Sequence, residues 1–135
     1  MKAYENVPNT KEVTRRIENY QNSSGGSLDL SNLYLIELPV EVKTLKNLSD
    51  LNVSNNQLNS LPDWIGSLSS LNKLNLRGNQ IDSLPDSFSE LKGLTFLDMG
   101  INRFRGLPEC LKPLVSLEYL DLESTDFYFF EGMGT

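Results

Sequence analysis

Asp29, Asn52, Asn75, Asp98 and Asp121 recur at an interval of twenty-three residues, each between two apolar neighbours. Two carboxylates held side by side could serve acid–base catalysis or bind Ca²⁺. Only Asp98 and Asp121 are adjacent acids in this column, and its middle is neutral amide. That favours a polar ladder on the surface, with Asn52 and Asn75 hydrogen-bonding along it. Other reactive side chains are scarce. The chain has no histidine, which excludes His-based triads and His metal sites. Its one cysteine, Cys110, leaves no disulfide and no thiolate cluster, and has no histidine to activate it. Neither G-x-x-x-x-G-K-[ST] nor G-x-G-x-x-G occurs. These residues imply no enzyme: no catalytic group, no cofactor and no metal.

The interval that repeats the acids repeats everything around them, which is the mark of a solenoid. With Leu48 as position 1, position 4 holds Leu28, Leu51, Leu74, Leu97 and Leu120. Position 6 holds Leu30, Val53, Leu76, Met99 and Leu122, and position 9 holds Asn56, Asn79 and Asn102. Position 14 is Leu38, Leu61, Leu84 and Leu107, each followed by proline. Apolar residues at positions 4 and 6 alternate with polar ones, the pattern of a short strand with one buried face. The asparagine both donates and accepts, so it can satisfy backbone groups left open where the chain turns off the strand. The proline suits the first position of a helical turn, and Asp63, Asp86 and Glu109 follow it where negative charge favours a helix start. One such unit buries too little to offset the entropy of ordering it, so neighbours must stack. Strands joined by these crossovers run parallel.

The pattern L-x-x-L-x-L-x-x-N-x-[LIF]-x-x-L-P-x-x-[IFL]-x-x-L resembles the leucine-rich repeat family, in its twenty-three-residue Leu-Pro class. Similar repeats occur in Ras-suppressor-like scaffolds and in bacterial leucine-rich repeat proteins, including spirochaetal ones and effectors. The resemblance covers about residues 25 to 130 and implies an α/β fold. That fold is a right-handed solenoid with a short parallel sheet on its concave face and an N-terminal capping helix. It is nearly mute on function, because unrelated proteins share it.

The ends depart from the pattern. Asn9 followed by Glu12 fits a capping box, and Val13, Ile17 and Tyr20 share one helix face. A helix from Thr10 to Gln21 is expected, covering the edge of the first repeat, with Lys11, Arg15, Arg16 and Glu18 facing water. The expected division is a capping segment over 1–24 and repeats over 25–135. At the other end DFYFFEGMGT carries four consecutive aromatics, Phe127 to Phe130. Two readings stand: a lid over the last repeat, or an edge that pairs with a second copy. A monomer is expected, with a homodimer through this end as the alternative. Trp64, on the outer turn, is expected to lie flat over neighbouring turns.

Net charge is −6 and the isoelectric point about 4.6, which disfavours nucleic acid and anionic membranes as partners. The start lacks the apolar centre of a secretory signal, and one cysteine fits a reducing compartment. The expectation is a cytoplasmic protein, with delivery into a host cell by a specialised secretion system left open. Of the residues facing the hollow, position 3 runs Ser27, Asp50, Lys73, Phe96, Tyr119, and position 7 runs Ser31, Ser54, Arg77, Gly100, Glu123. Phe96 and Tyr119, with Arg77, Ile101 and Arg103 beside them and Asp98 and Asp121 near, have the composition of an interface hot spot. Gly100 would leave a gap there for a partner's side chain. The expected partner is a protein or peptide with a basic, partly apolar surface. The alternatives are a self-associating structural repeat, or a fragment of a larger scaffold or effector.

Overall fold

The computed structural model describes residues 7–123. The aromatic run Phe127 to Phe130, and with it both readings of the C-terminal end, lies outside the described residues. Helix α1 spans Thr10–Gln21, and five strands follow: β1 Gly26–Asp29, β2 Leu48–Asn52, β3 Lys73–Asn75, β4 Phe96–Asp98 and β5 Tyr119–Asp121. They form one parallel sheet in chain order, with residues twenty-three apart aligned: Asp50 on Lys73, Lys73 on Phe96, Phe96 on Tyr119. Between strands, short 3₁₀ turns run Val40–Thr44, Asp63–Ser67, Asp86–Glu90 and Glu109–Leu111. Each proline is extended and stands one residue outside its turn, not within it; Pro62 has φ −72° and ψ 156°.

The leucine columns make one continuous core. Leu51, Leu74 and Leu97 are completely buried, as are Val53, Leu76 and Met99. The position-9 asparagines are buried with them, and they do more than close their own turns. Asn79 Oδ1 accepts from Leu58 N at 3.0 Å, while its Nδ2 donates to the carbonyls of Val53 and Leu76, both at 3.0 Å. Each asparagine therefore ties its own coil to the one before. The same bridge runs from Asn56 to the amides of Leu33 and Leu35, and from Asn102 to Ile81. The first coil has Leu33 in the asparagine's place. With no earlier coil to reach, it meets the capping helix instead, and Asn9 N donates to Leu33 O at 3.0 Å.

Helix α1 has the expected bounds and buries Val13, Ile17 and Tyr20. Only half of the capping box forms: Asn9 Oδ1 accepts from Glu12 N at 3.2 Å, while the Glu12 carboxylate turns to Arg15 and Arg16. Nor does Arg16 simply face water. Its guanidinium bonds the carbonyls of Asp29 and Ser31 at 3.1 and 3.2 Å, fastening the helix to β1. The guanidinium reaches them because Glu12, one helical turn earlier, holds it.

Coil spacing is tight on the turn side. A Cβ at Gly66 would run into the backbone oxygen of Ser87 in the next coil. Trp64 is half-buried against the core and lines a shallow depression together with Pro39 and Val40 of the preceding turn. The position-14 column does not hold to its end: Leu38 and Leu61 are buried, Leu84 half-buried, and Leu107 52 % exposed. An apolar side chain here needs a coil on either side, and the coil beyond Leu107 runs out of the described residues.

Candidate functional site

Strand alternation turns Phe96, Asp98, Tyr119 and Asp121 to the outer face of the sheet, opposite the leucines. Parallel register sets Phe96 beside Tyr119 and Asp98 beside Asp121. The two rings stack, with centroids 4.5 Å apart and planes within 2° of parallel. Tyr119 is 45 % exposed, and its hydroxyl donates to Asp121 Oδ2 at 3.1 Å. That hydrogen bond, aided by partial burial, pushes the Tyr119 phenol pKa up.

Two aligned carboxylates repel across a ladder, and Arg77 relieves the repulsion. Its Nη1 lies 3.6 Å from Asp98 Oδ1 and 3.5 Å from Asp121 Oδ2, and its Nη2 bonds Glu123 Oε1 at 2.6 Å. The Glu123 hydrogen bond raises the Arg77 pKa against the opposing effect of burial. Arg77 belongs to β3's coil and Glu123 to the coil two further on, with Gly100 between them at the same repeat position. A Cβ at Gly100 would stand 2.5 Å from Arg77 Nη1. The gap expected there for a partner is thus filled by the protein's own arginine.

The aspartate column also differs from the expected ladder. Asn52 accepts from Ser54 N, Asn75 from Arg77 N, Asp98 from Gly100 N and Asp121 from Glu123 N, all at 2.8–3.0 Å. Each side chain holds its own turn two residues on, so Asn and Asp serve equally. Asp29 does the same with Ser31. Burial raises the Asp29 pKa, but the Ser31 hydroxyl and amide, with Arg16, more than reverse it.

The structure therefore gathers Phe96, Tyr119, Arg77, Asp98 and Asp121 into one patch. Asp98 is 7 % exposed and lies under Arg77, so it positions the arginine and offers little to a partner. Glu123, which carries the closest contact to Arg77, was not among the residues singled out from the sequence. Ile101 is exposed, with φ 50°. Its repeat position takes left-handed backbone elsewhere, at Asn32, Asn55 and Gly78. Arg103 is exposed two residues past Ile101, beyond the strand. Cys110 is half-buried, and burial pushes its thiol pKa up, the reverse of a nucleophile's. Among the described residues no group of three acidic or cysteine side chains is placed to hold a metal ion. No helix among them is long and apolar enough to cross a membrane.

Stacked coils, one parallel sheet and an asparagine bridge between neighbours define a leucine-rich repeat solenoid. The model of the leucine-rich repeat region matches residues 41–134, and the chain belongs to that family. Among curated proteins, none matches the sequence. Solved structures that it resembles include the leucine-rich repeat domain of the type III effector XopL, at 26 % identity and TM-score 0.73, over 85 % of this chain and 42 % of that one. A Leptospira interrogans leucine-rich repeat protein aligns at 32 % identity and TM-score 0.60, over 80 % of this chain and 33 % of that one. The BIR3–SERK2 complex of Arabidopsis thaliana aligns at 31 % identity and TM-score 0.61, over 73 % of this chain and 55 % of the other. The chain thus spans about half or less of each. The fold is typical of protein–protein interaction modules.

Proposed function

We propose that this chain is a non-enzymatic interaction module that binds a protein or peptide on the concave face of its sheet. The stacked pair Phe96–Tyr119 carries the reading. Two large rings, stacked on each other on the outer face of a sheet, make a rigid apolar platform that loses little entropy on binding. Around it Arg77 faces three carboxylates, Asp98, Asp121 and Glu123, and Lys73 stands next to Phe96 in the ladder. The patch is net negative, so the partner is basic and partly apolar. The proposal adds Ile101 and Arg103, both exposed in the turn after β4. The division at residue 24 belongs to this proposal: the capping segment closes the core and the repeats bind. A solved complex among the structural neighbours supports partner binding by the fold.

The test is capture of partners by the wild-type chain and by Phe96→Ala and Tyr119→Ala variants, followed by affinity measurement on the captured protein. Each substitution lowers affinity about tenfold, or about 1–2 kcal/mol, with the fold intact by circular dichroism. Unchanged binding in both variants overturns the reading.

A second reading, self-association through the C-terminal end, draws on the last described coil. There Val115 is 89 % exposed, Leu107 52 % and Leu120 38 %, an apolar surface of the kind a further coil covers. Such cover comes from residues 124–135, from a longer chain or from a second copy. Sedimentation at low and high concentration tests the last: a monomer throughout removes self-association. The reading places the protein in the cytoplasm. The likeness to an effector domain supports the alternative of delivery into a host cell.

A further inference from the structure

A surface of different build lies at the opposite end of the chain from the stacked rings. Helix α1 and the stretch after β1 enclose a groove of about 520 Å³. Val13, Ile17 and Leu35 form its floor, and Glu18, Glu37 and Glu41 stand around it. A shallower depression of about 460 Å³ continues past Val40 to Pro62 and Trp64, sharing Glu37 and Pro39 with the first. Among the described residues, no lysine or arginine lines either part.

The repeat itself shows that this surface is unusual. Ile36 occupies the position held by Asn59, Asp82 and Arg105 in later coils, and Val40 that of Asp63, Asp86 and Glu109. The next three coils put a polar or charged residue at both places. The first coil puts β-branched apolar residues there and leaves them 56 % and 64 % exposed, so the capping helix does not account for them. Exposed apolar residues grouped around a groove mark an interaction surface.

We propose that this groove is a second docking site, for a peptide segment that presents aliphatic or aromatic side chains flanked by lysine or arginine. The apolar floor takes the side chains, and the three glutamates, with no cation among them, select the flanking charge. The chain's own C-terminal segment is aromatic but carries Asp126 and Glu131 and no lysine or arginine, so a second copy's tail meets like charge here. The site is separate from the concave patch and stands or falls independently of it.

The test is a titration of the ¹⁵N-labelled full chain with three synthetic peptides of equal length, alternating leucine–lysine, leucine–glutamate and serine–lysine. The leucine–lysine peptide shifts the amides of Thr14, Ile36, Glu37 and Val40 and leaves those of β4 and β5 in place. Ile36→Ser with Val40→Ser weakens it about tenfold at unchanged melting temperature, since both side chains are exposed. Glu37→Lys with Glu41→Lys turns the preference toward the leucine–glutamate peptide. Four results overturn the proposal: no binding by any peptide, equal binding of the serine–lysine peptide, tighter binding of the leucine–glutamate peptide by the wild-type chain, or shifts confined to β4 and β5.

Discussion

Arg77 lies across Gly100, its Nη1 2.5 Å from where a Cβ at that glycine would stand, and ends on Glu123 two coils away. Glycine at this place lets one side chain span three coils and keep Asp98 and Asp121 together. Gly100→Ala pushes the guanidinium off its path, leaves the buried Asp98 without its cation and lowers the melting temperature. In an Arg77→Ala background the same change costs little. Thermal melts of the four members of this cycle check it, and additive losses refute the relationship.

Asn79 is the middle bridge of the asparagine column. Asn79→Ala takes the Leu58 amide's acceptor away inside the core and leaves the Val53 and Leu76 carbonyls only their second donors, from Asn56 and Asn102. A loss of at least about 2 kcal/mol follows. The exposed Asn59, mutated to alanine, changes stability by less than about 0.5 kcal/mol. Urea denaturation measures both.

Ile101 holds a left-handed backbone that its β-branched side chain disfavours. Ile101→Asn matches the residue used at the same place in the first two coils and stabilises the chain by about 1 kcal/mol. If Ile101 is retained for its contact with a partner, the same substitution weakens binding. A gain in stability with no change in affinity would show that Ile101 serves no partner.

Glu12 is held by hydrogen bonds from Arg15 and Arg16, which lower its pKa from the ordinary 4.5 to about 2. A depressed carboxylate stabilises the fold above its unfolded pKa and loses that contribution as pH falls from about 4.5 through 2. The group is exposed, so the effect is modest and weaker in salt. Glu12→Gln flattens this part of the melting-temperature profile, because the amide does not titrate, and lowers the whole profile slightly by freeing Arg16 from its place beside β1. An unchanged profile would place the acid sensitivity elsewhere.

The repeat was legible because its causes are local and repeated. Leucine at positions 4 and 6 alternates within one strand, and a turn needing a donor and an acceptor at once selects asparagine at position 9. The helix bounds were legible for the same reason, since Asn9 and the spacing of Val13, Ile17 and Tyr20 act within a single element. The placing of Phe96 next to Tyr119 followed from period and register alone. The path of Arg77 does not: Gly100 reads as an opening, and a side chain from another coil lies in it. Arg16 reads as solvated for a similar reason: its partners are the carbonyls of Asp29, at the end of β1, and of Ser31 just beyond it.

By itself, then, the order of residues determined the coil, its length, what it buries and which columns face out, because each rests on contacts within one period or between adjacent periods. Tertiary structure decided how the outer face is wired: which acids Arg77 neutralises, that Asp98 is covered, and that Ile36 and Val40 stay open beside an acidic groove. Those outcomes depend on how far a long side chain reaches across stacked coils and on what the capping helix leaves uncovered. Both are set by distances between backbones, and residue spacing along the chain does not encode them directly.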